Sequence, residues 1–357
     1  MKVMIVISTS GVGGSQRVAM HLAQWLENNS DHSCEIVALR PPLGEAYDMS
    51  GFKYEQINSN RVIHKLRSII KDRKPDILLS MGVPLALYTV PACVGTKVKH
   101  IVSERNDPAH FAGKTTTKII SRLLMRTASG FVFQTKDAKD YYGGKIAKKS
   151  VVIPNPLFDM ENMPDQPFDG DRKKTVVSVG RLNMQKNQTM LIETFAELSN
   201  EFADYTLTIW GEGPERANLE ALINKLGMQN KIFLPGTSEN VMEEIYDEGM
   251  FVLCSDFEGM PNALMEAMAL GLPCISTDCP CGGPRDLIKD GENGKLVPVG
   301  NAELLTDAIK DLIKNSDYAK KIGDNAFLIR KTYNNDAICK QWLLFFESII
   351  MDRIIDK

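Results

Sequence analysis

The chain has 357 residues, 43% of them hydrophobic and 24% charged, with a net charge of −3. That is enough sequence for two domains with separate cores, and it excludes disordered, collagen-like and disulfide-framed classes. The near-neutral charge also argues against nucleic acid as a partner. Charge is uneven along the chain: residues 1–160 carry 22 Lys and Arg against 13 Asp and Glu, and the remainder 20 against 32. This points either to an anionic partner for the first half or to two surfaces of different chemistry.

The run Met1-Lys2-Val3-Met4-Ile5-Val6-Ile7 is too short for a signal peptide and begins the fold directly. Strands are expected at 2–8, 33–39, 77–80, 100–103, 130–134 and 150–153, with amphipathic helices such as 15–27 and 115–126 between them. This alternation implies a parallel sheet covered by helices on both faces. After the first strand comes Ser8-Thr9-Ser10-Gly11-Val12-Gly13-Gly14-Ser15, leading into a helix. Such a loop either cradles phosphate on its backbone amides or is only a tight connection. A dinucleotide fold is disfavoured, because Gln16 replaces the third glycine and the second strand ends Ala38-Leu39-Arg40 without an acid. Residues 77–96 are charge-free and long enough to span a bilayer, but Gly82, Pro84 and Pro91 divide them into a short strand and a short helix.

Two helices in this half are basic. Lys114, Lys118, Arg122 and Arg126 recur every four residues and share one face, with Ile119, Ile120, Leu123 and Leu124 on others; residues 61–74 form a second cationic helix. Both read either as solvated faces or as surfaces for anionic lipid. At 154–174 the pattern breaks into a polar, Pro- and acid-rich linker. The same grammar restarts with strands at 175–179, 206–210, 232–234, 250–254, 273–276 and 295–297, and helices at 188–200, 214–226, 241–247, 261–270 and 302–314; the tail 317–355 is almost wholly helical. The expected division is 1–156, a linker 157–174, 175–333, and a C-terminal helix 334–357 open to packing back on the first domain. In such sheets ligands sit at the carboxyl ends of the strands, so two facing domains would share a central cleft.

Seven cysteines in no regular framework indicate free thiols in a reducing cytoplasm. Cys279-Pro280-Cys281 lacks a second ligand pair, and the only Asp-x-Asp, Asp169-Gly170-Asp171, lies in the linker, so no metal cofactor is expected.

The densest signal is Glu258-Gly259-Met260-Pro261-Asn262-Ala263-Leu264-Met265-Glu266. Pro261 suits the first helical position, leaving the amides of Asn262, Ala263 and Leu264 as donors at a helix N-terminus suited to phosphate. Glu258 precedes that end, and Glu266 follows about 7–8 Å along the axis. Arg181 and Lys186 follow another strand, where two cations can neutralise a leaving diphosphate.

Gly180-Arg181 with Lys186, Gly211-Glu212-Gly213-Pro214, Pro235-Gly236, Glu258 through Glu266, Gly282-Gly283-Pro284-Arg285-Asp286 and Asp290-Gly291-Glu292-Asn293-Gly294 follow one another in the order seen in family 4 glycosyltransferases. The chain resembles that family over essentially its whole length, most strongly from Val176 to Val299. The resemblance implies a GT-B fold, two Rossmann-like domains facing a central cleft, and a retaining hexosyltransferase. It assigns Arg181 and Lys186 to the donor diphosphate and Glu258 to the transferred sugar. Met260, Pro261 and Asn262 would lie along the donor, Glu266 would take the ribose, and the Gly236 region the base, with uracil expected. Gly13 and Gly14 would close over the phosphates from the other domain. The implied partners are a UDP-sugar and a glycan or polyprenyl-diphosphate-linked acceptor, with peripheral attachment to the inner membrane face as an option. Where relatives carry a His near the donor sugar, this chain offers Glu104, Arg105 and Asn106, with His110 further on; these are the acceptor-side candidates. The alternatives are a GT-B sugar-nucleotide epimerase and a non-catalytic binding protein.

Overall fold

The computed structural model describes residues 1–110 and 114–351, and they form two units: Met1–Phe158 with the chain from Asn334 onward, and Asp159–Tyr333. Unit 1 is built on a seven-stranded sheet: β1 (Lys2–Ile7), β2 (Ser33–Ala38), β3 (Tyr54–Gln56), β4 (Ile77–Met81), β5 (Lys99–Ser103), β6 (Gly130–Phe133) and β7 (Ser150–Val152). Unit 2 contains six strands: β8 (Thr175–Val179), β9 (Thr206–Trp210), β10 (Ile232–Gly236), β11 (Met250–Leu253), β12 (Cys274–Thr277) and β13 (Lys295–Val297). The orders are β3-β2-β1-β4-β5-β6-β7 and β10-β9-β8-β11-β12-β13, with every described pair parallel.

Alternation along β1 shows how the sheet of unit 1 buries both faces. Val3, Ile5 and Ile7 pack with Val18, Leu22 and Leu26 of the Gly14–Asn29 helix, while Met4 and Val6 face Leu66, Ile69 and Ile70 of the Val62–Arg73 helix. Successive side chains point to opposite faces, so a strand covered on both sides reads as a continuous apolar run. The C-terminal Asn335–Ile350 helix belongs to unit 1: Trp342, Phe345 and Phe346 enter the same core as Val3 and Leu22. Asn334 caps it by accepting the Ala337 amide at 2.8 Å, and the Trp25 indole N–H donates to Asp336 at 3.1 Å. Unit 2 repeats the scheme, with Val176, Leu207, Ile209 and Val252 packed on Leu191, Ile192, Phe195 and Ile309.

Two expectations change. The edge strand β3 is additional; it has only three residues, too few to show an alternation in sequence. Pro261 is not the first helical residue but the cap before it. The tail is almost wholly helical as expected, in the pieces Ser316–Ala326, Ile329–Thr332 and Asn335–Ile350; residues 352–355 lie outside the described residues.

In each sheet the chain runs from its first strand outward to one edge, then crosses to the other side. The reversal falls between β1 and β4 in unit 1 and between β8 and β11 in unit 2. Those are the positions where open parallel sheets leave a crevice for ligands.

Candidate active site

In unit 2 the loops after β8 and β11 flank the switch point. After β8 the chain turns through Gly180 and Arg181 into a short turn, Met184–Lys186. Asn183 caps that turn by accepting the Lys186 amide at 3.2 Å, and Asn187, in the left-handed region at φ 46°, accepts the Met190 amide at 3.3 Å to start the Gln188–Leu198 helix. Asparagine tolerates this backbone because its short side chain bonds locally. The turn folds Lys186 back over Gly180, so a Cβ at Gly180 would lie 3.4 Å from Lys186 Cε.

Lys186 Nζ reaches Glu258 Oε1 at 2.5 Å. The same oxygen accepts the Ser255 hydroxyl at 2.7 Å, and Gln185 Nε2 approaches Oε2 at 3.5 Å. Gln185 also donates to the Phe257 carbonyl at 2.8 Å, the Asp256 amide donates to the Gln185 carbonyl at 2.8 Å, and Asn187 Nδ2 donates to Asp256 at 2.9 Å. The two loops are thus stitched together by backbone and side chain. Ser255 is fixed in turn, its carbonyl accepting Thr277 Oγ1 at 2.6 Å and Cys279 Sγ at 3.2 Å. Burial pushes the Cys279 thiol up to about 12, so it sits there as a neutral donor. Glu258 is only 7% exposed. A carboxylate at that depth is costly unless it is paired and hydrogen-bonded, and Lys186 with Ser255 meets that need.

Pro261 adopts an extended cap conformation (φ −80°, ψ 104°), and the first intrahelical bond runs from the Met265 amide to its carbonyl at 3.1 Å. Asn262, Ala263 and Leu264 therefore hold the first three helical positions, whose N–H groups point out of the helix end. Glu266, 7% exposed, sits on the next turn of this Asn262–Ala269 helix. The backbone ahead of the helix rests on Gly283, where a Cβ would lie 1.8 Å from the Gly259 carbonyl oxygen and 3.2 Å from Met260 Cα. Arg181 has an exposed side chain, and its carbonyl accepts Gln188 Nε2 at 3.0 Å.

Gly211 and Gly213 buttress the loop that carries Arg181. A Cβ at Gly211 would lie 2.0 Å from the Gly180 carbonyl oxygen, and one at Gly213 would lie 2.1 Å from that of Leu182. The Gly236 region departs from expectation: β10 extends through it, and its carbonyl accepts the Gly211 amide at 2.7 Å. That carbonyl serves the sheet, because the register shift between Phe233 and Gly236 brings Gly236 opposite Trp210. Pro235 is tolerated because β10 is an edge strand.

In unit 1 the glycine-rich loop ends with Gly13 as the cap of the Gly14–Asn29 helix, its carbonyl accepting the Arg17 amide at 3.0 Å. Loop residues Val12 and Ser10 bond to Glu45 and Tyr47, so the segment after β2 braces this helix end. The acceptor-side candidates separate. Glu104 is buried and turned inward, accepting Tyr142 Oη at 2.9 Å and the Arg105 amide at 3.0 Å; burial raises its carboxyl above the ordinary range. Arg105 donates to Asn155, which also accepts Gln134 Nε2 at 2.7 Å, while Arg105 Nε and Nη1 are buried without a partner. Burial lowers the Arg105 guanidinium to about 9. Asn106 alone of the three is exposed. His110 Nδ1 lies 2.8 Å from Asp107.

The basic stripe is only partly a solvated face. Lys118 donates to the Ala109 carbonyl at 2.9 Å; Arg122 donates to the Pro108 carbonyl at 2.9 Å and to Tyr141 Oη at 2.6 Å, with its guanidinium 4.8 Å from the Tyr141 ring centre. Lys114 and Arg126 remain exposed, as do Ile119, Ile120 and Leu123. The second basic helix is also internally engaged, Arg73 with Glu35 and Glu55, and Lys65 with Glu55 at 3.3 Å. Asp169 of the linker pairs with Lys320 at 3.2 Å. Among the described residues no three His, Cys, Asp or Glu gather as a metal site, and no helix is long and apolar enough to cross a membrane.

Two parallel Rossmann-like sheets, each with glycine-rich or charged loops at its switch point, define the GT-B class. In keeping with that, the structure is similar to lipopolysaccharide outer core galactosyltransferase WaaB (TM-score 0.77, 24% identity, 99% of this chain and 100% of that one). It is also similar to Anabaena HepE in complex with UDP-glucose (TM-score 0.84, 17% identity, 98% and 100%). Residues 12–157 match Glycosyltransferase Family 4, and residues 159–328 match Glycosyl transferases group 1. The chain belongs to these glycosyltransferases and is an enzyme of that class. Among sequence relatives, it is 27% identical to the GalNAc-alpha-(1->4)-GalNAc-alpha-(1->3)-diNAcBac-PP-undecaprenol alpha-1,4-N-acetyl-D-galactosaminyltransferase of Campylobacter jejuni, covering 96% of this chain and 97% of that protein. It is 28% identical to the amylovoran biosynthesis glycosyltransferase AmsD of Erwinia amylovora, covering 96% and 98%.

Proposed function

We propose that the chain is a retaining transferase that moves a hexose or N-acetylhexosamine from a UDP-sugar to a lipid-linked or oligosaccharide acceptor in surface-glycan biosynthesis. The observation that carries this reading is the Lys186–Glu258 pair at the switch point of unit 2, beside the Asn262 helix end. Lys186 and Arg181 offset the charge that develops on the departing diphosphate, and the helix amides bind its oxygens. Glu258, prepaid in orientation by Ser255 and Gln185, accepts hydroxyls of the transferred sugar. Glu266 takes the ribose.

Among the described residues no side chain stands out as a covalent nucleophile, which favours front-side displacement as the course. The bond from the anomeric carbon to the diphosphate oxygen breaks as the acceptor oxygen bonds to the same face. The acceptor proton passes to the leaving diphosphate. The cations and helix amides supply the electrostatic stabilisation that a metal provides in other transferases. Uridine as the base is supported by HepE, solved with UDP-glucose, and the acceptor class by the Campylobacter relative's name. Exposed Lys114, Arg126, Ile119, Ile120 and Leu123 support peripheral attachment to an anionic membrane face.

Removing one preorganised electrostatic partner typically costs about 100-fold to 1,000-fold in rate. Glu258→Gln and Lys186→Ala are each expected to lower sugar transfer by that order in a UDP-release assay with acceptor. Transfer unchanged in both variants would remove this site assignment. Product formed from UDP-sugar without any acceptor would favour an epimerase.

A further inference from the structure

Unit 1 contains a cavity of about 860 Å³ that none of the residues discussed for the donor explains. It opens at the carboxyl ends of β1, β2 and β3 and along the turn after β4. Leu39, Ile57, Leu85 and Leu87 give it a mostly apolar lining. Leu43 stands at its wall fully exposed. Thr117 also lines it, from a helix on which Ile119, Ile120 and Leu123 are exposed.

One charged side chain interrupts this apolar surface. Arg40, directly after β2, lines the cavity, donates to Tyr88 Oη at 2.5 Å, and holds its guanidinium 5.6 Å from the Tyr88 ring centre. It pairs with no carboxylate among the described residues. The end of the second strand is where Rossmann-type units read a polar group of their ligand, and an arginine there suits a phosphate. Ser8, Thr9, Asn58, Ser59 and Asn60 also line the cavity, but most of its exposed surface is hydrocarbon, which suits a lipid better than a sugar. A guanidinium left without a carboxylate on an apolar wall matches a ligand with one anionic group and a hydrocarbon body.

We infer that this cavity receives the phosphorylated lipid end of the acceptor, its phosphate against Arg40 and Tyr88 and the first part of its hydrocarbon along Leu39, Ile57 and Leu85. This rests on the reading of unit 1 as the acceptor side. The volume falls within the range of small-molecule sites, about 300–1,000 Å³. It therefore holds only the start of a long lipid, and the exposed Leu43 continues the apolar path.

The test is calorimetric titration of the full chain with farnesyl diphosphate, farnesol and inorganic diphosphate as separate arms. Farnesyl diphosphate is expected to bind, with the other two much weaker. Arg40→Ala and Leu43→Glu change exposed side chains and should each weaken farnesyl diphosphate about tenfold, the size expected for a charge-assisted hydrogen bond or a lost apolar contact. Thermal melts matching wild type would show that both variants are folded. No farnesyl diphosphate binding by wild type, equal binding by wild type and both variants, or equally tight binding of inorganic diphosphate alone would each overturn the inference. UDP is titrated into the wild type separately: failure to bind it speaks against the donor reading, and the farnesyl diphosphate arms judge this cavity independently.

Discussion

Glu258 and Glu266 are equally buried, but their surroundings differ. Glu258 is held by an ammonium and a hydroxyl ahead of the helix, whereas Glu266 lies within it. The first is therefore oriented by a lysine 72 residues away together with a serine three residues before it. Another buried group carries a pH signature. His100 Nε2 lies 2.8 Å from Ser80 Oγ between β4 and β5, and burial lowers its ring to about 4. Between the ordinary imidazole value near 6.5 and about 4, the unfolded chain binds a proton that the folded chain refuses. Stability therefore falls as pH falls through that window, by up to about 3 kcal/mol. Urea unfolding followed from pH 7 to pH 4 should show this slope, and His100→Gln should flatten it. An equally steep slope in the variant would assign the loss to other groups.

At the scale of elements, close approach of backbones sets the Lys186–Glu258 site. Gly283→Ala would drive a methyl into the Gly259 carbonyl. Overpacking of this kind costs about 1–3 kcal/mol, and here relief requires moving the segment that carries Glu258 and the helix end. The expected result is a lower melting temperature together with a raised KM for the UDP-sugar. Gly51→Ala, with nothing within 4 Å of the new Cβ, should change neither. Much of this was legible in sequence. The Glu258–Glu266 spacing is local, so a strand, a turn and a helix place both acids without reference to the rest of the chain. Ser255 stands three residues from Glu258, but a serine after a strand carries no distinctive chemistry in sequence. Gln185 lies between Arg181 and Lys186, but its contact with the 255–258 segment depends on β8 lying beside β11, a neighbour more than 70 residues away. The i,i+4 recurrence of Lys118 and Arg122 places them on one face. What it could not show was that Pro108 and Ala109 fold under that face and accept from it.

At the scale of the whole molecule, the chain divides into two units of which the first is discontinuous. Its core takes Trp342, Phe345 and Phe346 from the far end of the sequence. Losing one such side chain from a core costs about 3–5 kcal/mol, against a total domain stability of about 5–15 kcal/mol. Deleting residues 334–357 should therefore unfold unit 1. Hydrogen exchange should show lost protection in β1 and β2, with β8 and β11 still protected; protection retained in β1 would contradict the assignment of the helix to that core.

The central claim is retaining transfer from a UDP-sugar at the Lys186–Glu258 site. Its most direct test is proton NMR of the product formed from an α-configured UDP-sugar and a lipid-linked acceptor, compared between wild type and Glu258→Gln. The account predicts an α-linked product from wild type and about a hundredfold less from the variant. A β-linked product, or an α-linked one formed equally well by the variant, would contradict it.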